Sequence, residues 1–344
     1  MPTTLNGTAP GVSLRQACTV IPRVSKDAWR ASSPFVRWLI ASRAPVLVMT
    51  FSSAAVGGTL ALLHGPIDAV AWSLCMIGLL LAHATNNQLN DFTDSALGID
   101  RGNYFRNRYG AHVLEDGLMT RRQLLAYIAF TGGLATSIGA YLVLRIGAAV
   151  LWPLGFGAFF LLFYTYPLKR LGLGEIAVWL VWGPLMTAGS YLAATGRWSG
   201  WIALIGAVQA LPTTTVIFGK HIDKIAFDTE KGVRTLPVRI GAARARHAVI
   251  AMLALPYVCV PLLAALGELP WATLVVFVAL PDAIRAMRIH LAECPIACPS
   301  GYPATVWPLW YSAHAFAHAR SFGLLLLAGL AIGWVIERGV IGSG

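Results

Sequence analysis

The chain has 344 residues, 57% of them hydrophobic and only 12% charged. A soluble domain carries roughly twice that share of charge, so a water-soluble globule is excluded. The formal net charge of +11 raises nucleic acid as a partner, but where the basic residues fall argues for a membrane instead.

Residues 1–34 are Ser/Thr/Pro-rich at first and lack the apolar stretch of a signal peptide, which predicts a flexible cytoplasmic segment. Its end, Lys26–Leu39, is expected to lie along the membrane interface with Trp29, Phe35 and Trp38 as anchors. Residues 35–340 then read as one membrane domain. Apolar blocks of spanning length occur near 38–62, 68–92, 121–144, 147–167, 175–195, 200–220, 246–266, 269–287 and 318–337. Each block must satisfy its own backbone hydrogen bonds in lipid, so the expectation is an all-α integral membrane bundle of nine transmembrane helices. Leu74–Leu81 shows none of the alternation of a β-barrel strand.

Of the 26 Lys and Arg residues, only Arg145, Arg197 and Arg338 fall outside the first 43 residues (which end on Arg43) and the alternate loops. That asymmetry puts the N-terminus and those loops in the cytoplasm and the C-terminus outside, as in a cell inner or plasma membrane. A nucleic-acid patch would have no reason to alternate with topology, and no nucleic-acid partner is expected. The five cysteines form no disulfide framework, and Cys294 and Cys298 read as loop residues because no second pair sits at zinc spacing. His314 and His318, one helical turn apart with no Glu between them, read as interfacial packing.

The second span ends in Asn86-Asn87-Gln88-Leu89-Asn90-Asp91-Phe92-Thr93-Asp94, six amides and acids within nine positions. A helix end capped into solvent explains one or two such residues, not six. On a helix Asn87, Asp91 and Asp94 share one face, and Asn86, Asn90 and Asp94 the adjoining stripe. Carboxylate and amide oxygens suit Mg²⁺, which takes a few protein oxygens, water and a substrate phosphate. His83, a turn or more inside the span, either bonds these amides or helps to hold an acceptor. The following loop sets Arg106 and Arg108 among glycines, a composition suited to phosphate oxygens.

The sixth span ends in Gly219-Lys220-His221-Ile222-Asp223-Lys224, followed by Asp228 and the turn Lys231-Gly232-Val233-Arg234-Thr235. Two acidic helix ends on one side of the membrane can hold divalent cations that bridge to a diphosphate.

These clusters resemble the paired aspartate motifs of the UbiA-type membrane prenyltransferases, nine-helix proteins that move isoprenoid chains onto acceptors. Asn90-Asp91-Phe92-Thr93-Asp94 with Asp100 resembles the first motif of the menaquinone-pathway, or dihydroxynaphthoate, branch. Lys231-Gly232-Val233-Arg234-Thr235 resembles the tail of the second. Tyr164-Thr165-Tyr166-Pro167-Leu168-Lys169, with Gly174-Glu175 and Gly183-Pro184, is similar to the connection between the fourth and fifth helices. The resemblance implies a Mg²⁺-dependent intramembrane enzyme that ionises an allylic prenyl diphosphate and hands the chain to a hydrophobic or aromatic acceptor. It implies Mg²⁺ on Asn90, Asp91, Asp94 and Asp228, with Asp223 a further candidate ligand. Asp94, Asp228 and Lys169 would be catalytic. Asn87, Asn90, Arg106, Arg108, Lys220, Lys224, Arg234 and Tyr164 would bind the diphosphate.

The second motif departs from the branch pattern. Aligned from Arg234, Asp228 fits, but Lys224 stands where a second acid belongs, and Lys220 and His221 where asparagines belong. Asp223 is one residue early, and a five-residue step turns a helix by ~140° against ~40° for four. Either a bulge or helix end near 225–227 brings both acids round, or Asp228 alone takes the metal while Lys220 or Lys224 meets the diphosphate. A terpene cyclase, a lipid-phosphate phosphoribosyltransferase and an ion-coupled transporter are the rival functions. Transporters usually place their acids near the bilayer midplane, whereas these lie at span ends.

Overall fold

A computed structural model of the chain describes residues 10–19, 21–100 and 110–341. The described residues are helical or irregular, with no strand among them. In chain order the helices are α1 (Leu14–Thr19), α2 (Lys26–Ala31), α3 (Pro34–Ala41), α4 (Val48–His64), α5 (Ala69–Ala96), α6 (Arg121–Ile146), α7 (Leu151–Phe163) and α8 (Gly174–Leu180). They continue as α9 (Met186–Thr195), α10 (Gly200–Asp223), α11 (Ile225–Glu230), α12 (Leu236–Ile240), α13 (Ala242–Ala265), α14 (Leu280–Leu291) and α15 (Tyr311–Ile341).

Eight of these stretches are long and apolar enough to cross a membrane, the first running Ala44–His64 and the last Tyr311–Arg338. The ninth expected span is not a continuous α-helix. Trp271–Ala279 forms a 3₁₀ segment that passes into α14. Pro270 stands at its start, and Thr273 Oγ1 donates to the Pro270 carbonyl at 2.7 Å. Gly333 and Gly329 let α15 come so close that an added Cβ would lie 2.4 Å from Pro270 and 2.6 Å from Thr273.

The core lies where α4, α10 and α15 meet, around Val56, Leu60, Ile202, Phe322 and Leu330, all fully buried. Helices α6 and α7 are peripheral: Phe130, Leu144, Phe156 and Leu162 are exposed. Large apolar side chains in such numbers on one surface fit a hydrocarbon solvent.

The N-terminal segment departs from the expectation of flexibility. Within its described part, Ala17 of α1 and Trp29 of α2 are buried in a cluster with Val36, Leu39, Val113 and Leu124. Trp29 is therefore a core residue and not an interfacial anchor. Trp38 is half-buried and donates its indole N–H to Thr131 Oγ1 at 2.9 Å, and Phe35 alone of the three is exposed. Ser25 and Ser33 cap α2 and α3 by accepting backbone N–H groups, which lets such short helices start cleanly.

Two helices break at prolines, Pro167 and Pro184. α7 runs into a wide turn at Tyr164–Leu168, where Tyr166 is extended (φ −143°, ψ 125°), and α8 into another at Val181–Leu185 around Gly183. Carbonyls released by such breaks need partners in lipid. The Trp182 carbonyl accepts from Ser53 Oγ at 2.7 Å.

Candidate active site

A polar cavity of about 430 Å³ opens between the ends of α5, α10 and α15. Among the described residues its wall carries the carboxylates of Asp94, Asp100 and Asp228 and the cations Arg43, Lys169, Lys220 and Lys224. Asn86, Asn87, Asn90, Tyr164 and His221 add to the polar lining.

Each acid near the cavity faces a base. Lys169 Nζ donates to both oxygens of Asp94, at 2.7 and 3.0 Å. The wide turn after α7 is what brings Lys169 there, since it redirects the chain between Tyr164 and Lys169. Lys224 Nζ lies 3.4 Å from Asp228 Oδ1. Arg43 donates to Asp91 Oδ1. Arg43 is the one non-glycine residue of positive φ among the described residues (φ 54°, ψ 51°), a conformation costing about 1–3 kcal/mol that persists when surroundings enforce it. His221 Nδ1 is 2.6 Å from Glu175 Oε1, tying α10 to α8.

The amides are held as well. Asn87 Nδ2 donates to the Ser42 carbonyl at 2.9 Å, and Asn90 Nδ2 donates to Thr165 Oγ1 at 3.1 Å. Both carbonyl oxygens are thereby left for other partners. His83 does not bond these amides. Its Nδ1 is 2.8 Å from Thr50 Oγ1, and its ring meets Trp182 edge-on at 4.8 Å.

His83, Asn86, Tyr164, Val178 and Trp182 also line a second cavity of about 520 Å³. This chamber is apolar and lies between α5, α6, α7 and the broken α8–α9 pair. Gly133, Gly157 and Gly189 face it, and an added Cβ at any of them meets nothing within 4 Å. A charged vestibule thus joins an apolar chamber at a waist of five side chains.

Several expected site residues lie elsewhere. Asp223 is not on the cavity wall: its carboxylate accepts the backbone N–H groups of Trp310, Tyr311 and Ser312 at 3.0–3.1 Å. The helix does end at Asp223, with Lys224 at φ −107° and ψ 9°, but the break leaves Asp223 pointing at the start of α15 while Asp228 turns inward. Asp91 is buried behind the wall, against Arg43 and 3.8 Å from His112 Nε2. Arg234 is exposed and does not line the cavity. Arg106 and Arg108 fall outside the described residues. The sequence reading missed Arg43, counted there only as a topogenic charge, and His112, whose Nε2 lies 2.9 Å from Asp100 Oδ2.

The sequence profile of the UbiA prenyltransferase family matches residues 50–293, well over half of the chain. The chain belongs to the UbiA prenyltransferase family. Among curated proteins this family member is 29% identical to the 1,4-dihydroxy-2-naphthoate octaprenyltransferase of Mycobacterium tuberculosis, across 85% of this chain and 99% of that one. It is 22% identical to UbiA prenyltransferase domain-containing protein 1 of Danio rerio, across 86% and 87% of the two chains. Among solved structures, an apo UbiA homolog from Aeropyrum pernix superposes with a TM-score of 0.63 at 19% identity, covering 83% of this chain and 97% of that one. A UbiA homolog from Archaeoglobus fulgidus bound to GPP and Mg²⁺ gives 0.56 at 16% identity, covering 86% and 99%. The fold and the prenyltransferase class expected of a UbiA member are therefore borne out.

Proposed function

We propose that the enzyme holds the diphosphate of an allylic prenyl donor in the polar vestibule, lays the isoprenoid tail in the apolar chamber, and transfers that tail to an aromatic quinone precursor of the naphthoate type. The observation that carries this reading is the junction of the two cavities, which matches an amphiphile with a charged head and a long apolar tail.

The residues present fit a hard divalent cation. Asp228 Oδ2 is buried and accepts no hydrogen bond among the described residues, and the oxygens of Asn90, Asp94, Asp100 and Asp228 are of the kind Mg²⁺ takes. Bound among them, Mg²⁺ would neutralise charge on the leaving diphosphate. Lys169, Lys220, Lys224 and Arg43 supply the remaining positive charge, already in place before the C–O bond breaks, where fixed cations lower the barrier most. Tyr164 and Trp182, at the waist, line both cavities near the point where the allylic cation would form, and cation–π attraction to aromatic rings favours it there. The apolar walls keep water from capturing it. The acceptor ring attacks the allylic carbon, and its displaced proton leaves toward the vestibule. Among the described residues the acids sit at or beside helix ends, which argues against transport. The basic loops support a cytoplasmic vestibule, so that soluble precursors enter from that side.

The test is turnover in membranes given prenyl diphosphates of graded length and 1,4-dihydroxy-2-naphthoate, with and without Mg²⁺. Asp94→Ala and Asp228→Ala are expected to abolish product while the protein still inserts. Full activity in both variants, or pyrophosphate release with no acceptor consumed, would overturn the assignment.

A further inference from the structure

Asp91, Asp100 and His112 bring three ligand atoms within 4.8 Å of one another, all in buried side chains. The grouping invites a second metal, but the hydrogen bonds of the imidazole argue otherwise. His112 Nδ1 accepts the backbone N–H groups of Leu114 and Glu115, both at 3.3 Å. A nitrogen that accepts two donors carries no proton, so in the neutral ring the proton sits on Nε2. A histidine that binds a metal through Nε2 needs the opposite tautomer, with Nδ1 as the donor. Arg43 also occupies the Asp91 carboxylate that such a site would require.

We infer that His112 is a positioning residue, whose Nε2–H holds the Asp100 carboxylate in place on the wall of the diphosphate vestibule. The bond is 2.9 Å long and the ring is fully buried, so it is shielded from water. The loop carrying His112 is itself anchored. His112 N donates to Asp116 Oδ2 at 2.7 Å, Ser95 Oγ donates to Glu115 Oε1, and Ala111 N donates to the Pro22 carbonyl at 3.0 Å. Val113 shares a buried cluster with Trp29 and Val36. The N-terminal helices therefore brace a loop that in turn aims one acid of the site. This inference rests on the proposed diphosphate reading.

Two substitutions separate aiming from loop structure. In H112N the amide oxygen can replace Nδ1 as acceptor for the loop, but its short side chain cannot reach Asp100. In H112Q the amide N–H can take the place of Nε2–H, while the loop loses its acceptor. The measurement, on the purified full-length enzyme, is the Mg²⁺ concentration giving half-maximal binding of geranyl thiolodiphosphate. H112N should raise it about 10- to 100-fold, the usual effect of removing a group that orients a metal ligand, and H112Q should stay near the wild-type value. A near-normal H112N with an impaired H112Q would make His112 a loop residue only and overturn the inference. So would a stoichiometric transition metal that is present in the wild type and absent from H112N. If the wild type shows no Mg²⁺-dependent binding of the analogue, the diphosphate reading itself fails.

Discussion

The buried pair of Lys169 and Asp94 makes a quantitative prediction. Before any ligand arrives, the ammonium bonds both carboxylate oxygens at 2.7 and 3.0 Å, and only 10% of the lysine side chain is exposed. If Asp94 turns to a cation when the donor binds, Lys169 is released to a diphosphate oxygen a few ångströms away. A hydrogen bond to a charged group is worth about 1.5–3 kcal/mol. Lys169→Met should then weaken the binding of a non-hydrolysable prenyl diphosphate about 10- to 100-fold, at roughly 1.4 kcal/mol per decade. Mg²⁺ alone should bind at least as tightly as before, because its carboxylate has lost a competitor. Removing one partner of a buried pair also costs roughly 3–5 kcal/mol of stability, which Asp94→Asn in the same chain should largely restore. Calorimetric titration of the detergent-solubilised enzyme, scaled to its folded fraction, reads both affinities. An unchanged donor affinity in Lys169→Met, or a parallel loss of Mg²⁺ and donor, would refute the exchange of partners.

Two further outcomes follow from the same geometry. Asp223→Ala should lower the melting temperature by leaving the N–H groups of Trp310, Tyr311 and Ser312 without their acceptor, while turnover per folded molecule stays close to wild type. Gly157→Leu should leave the melting temperature unchanged or raised, since the position is open and mid-helix glycine costs about 0.5–1 kcal/mol relative to alanine. That side chain would occupy the apolar chamber some 10 Å along the helix from Tyr164. Product analysis across a donor series should show the longest chains lost first.

How much of this was legible in the sequence varied with the range of the interaction. Span positions depend on runs of apolar residues, and the eight long helices lie close to the predicted blocks. Asn90 and Asp94 were visible because a four-residue step keeps them on one helical stripe. Lys169 was reached through family likeness, not through spacing. The residues that claim Asp223 lie 87–89 positions away, at the start of α15, and no local period encodes such partners. Arg43 and Asp91 are 48 apart for the same reason. The 3₁₀ stretch at Trp271–Ala279 was read as part of a span because its apolar content equals that of an α-helix. Its geometry is set by Pro270 and by the close approach of α15. The N-terminal segment looked mobile from its Ser, Thr and Pro content, but Ala17 and Trp29 find a core that only the folded loop at 111–119 provides.

The matched acids and bases around the vestibule have a consequence for the order of events. With Arg43 on Asp91, Lys169 on Asp94 and Lys224 near Asp228, the charges that the described residues bring to the resting cavity are close to balanced. A lone divalent cation would tip that balance one way and a lone diphosphate the other, each inside a poorly screened space. Arriving together they nearly cancel. On the proposed reading the enzyme would admit its two charged guests as a pair, so that saturating it with either one should sharpen its appetite for the other.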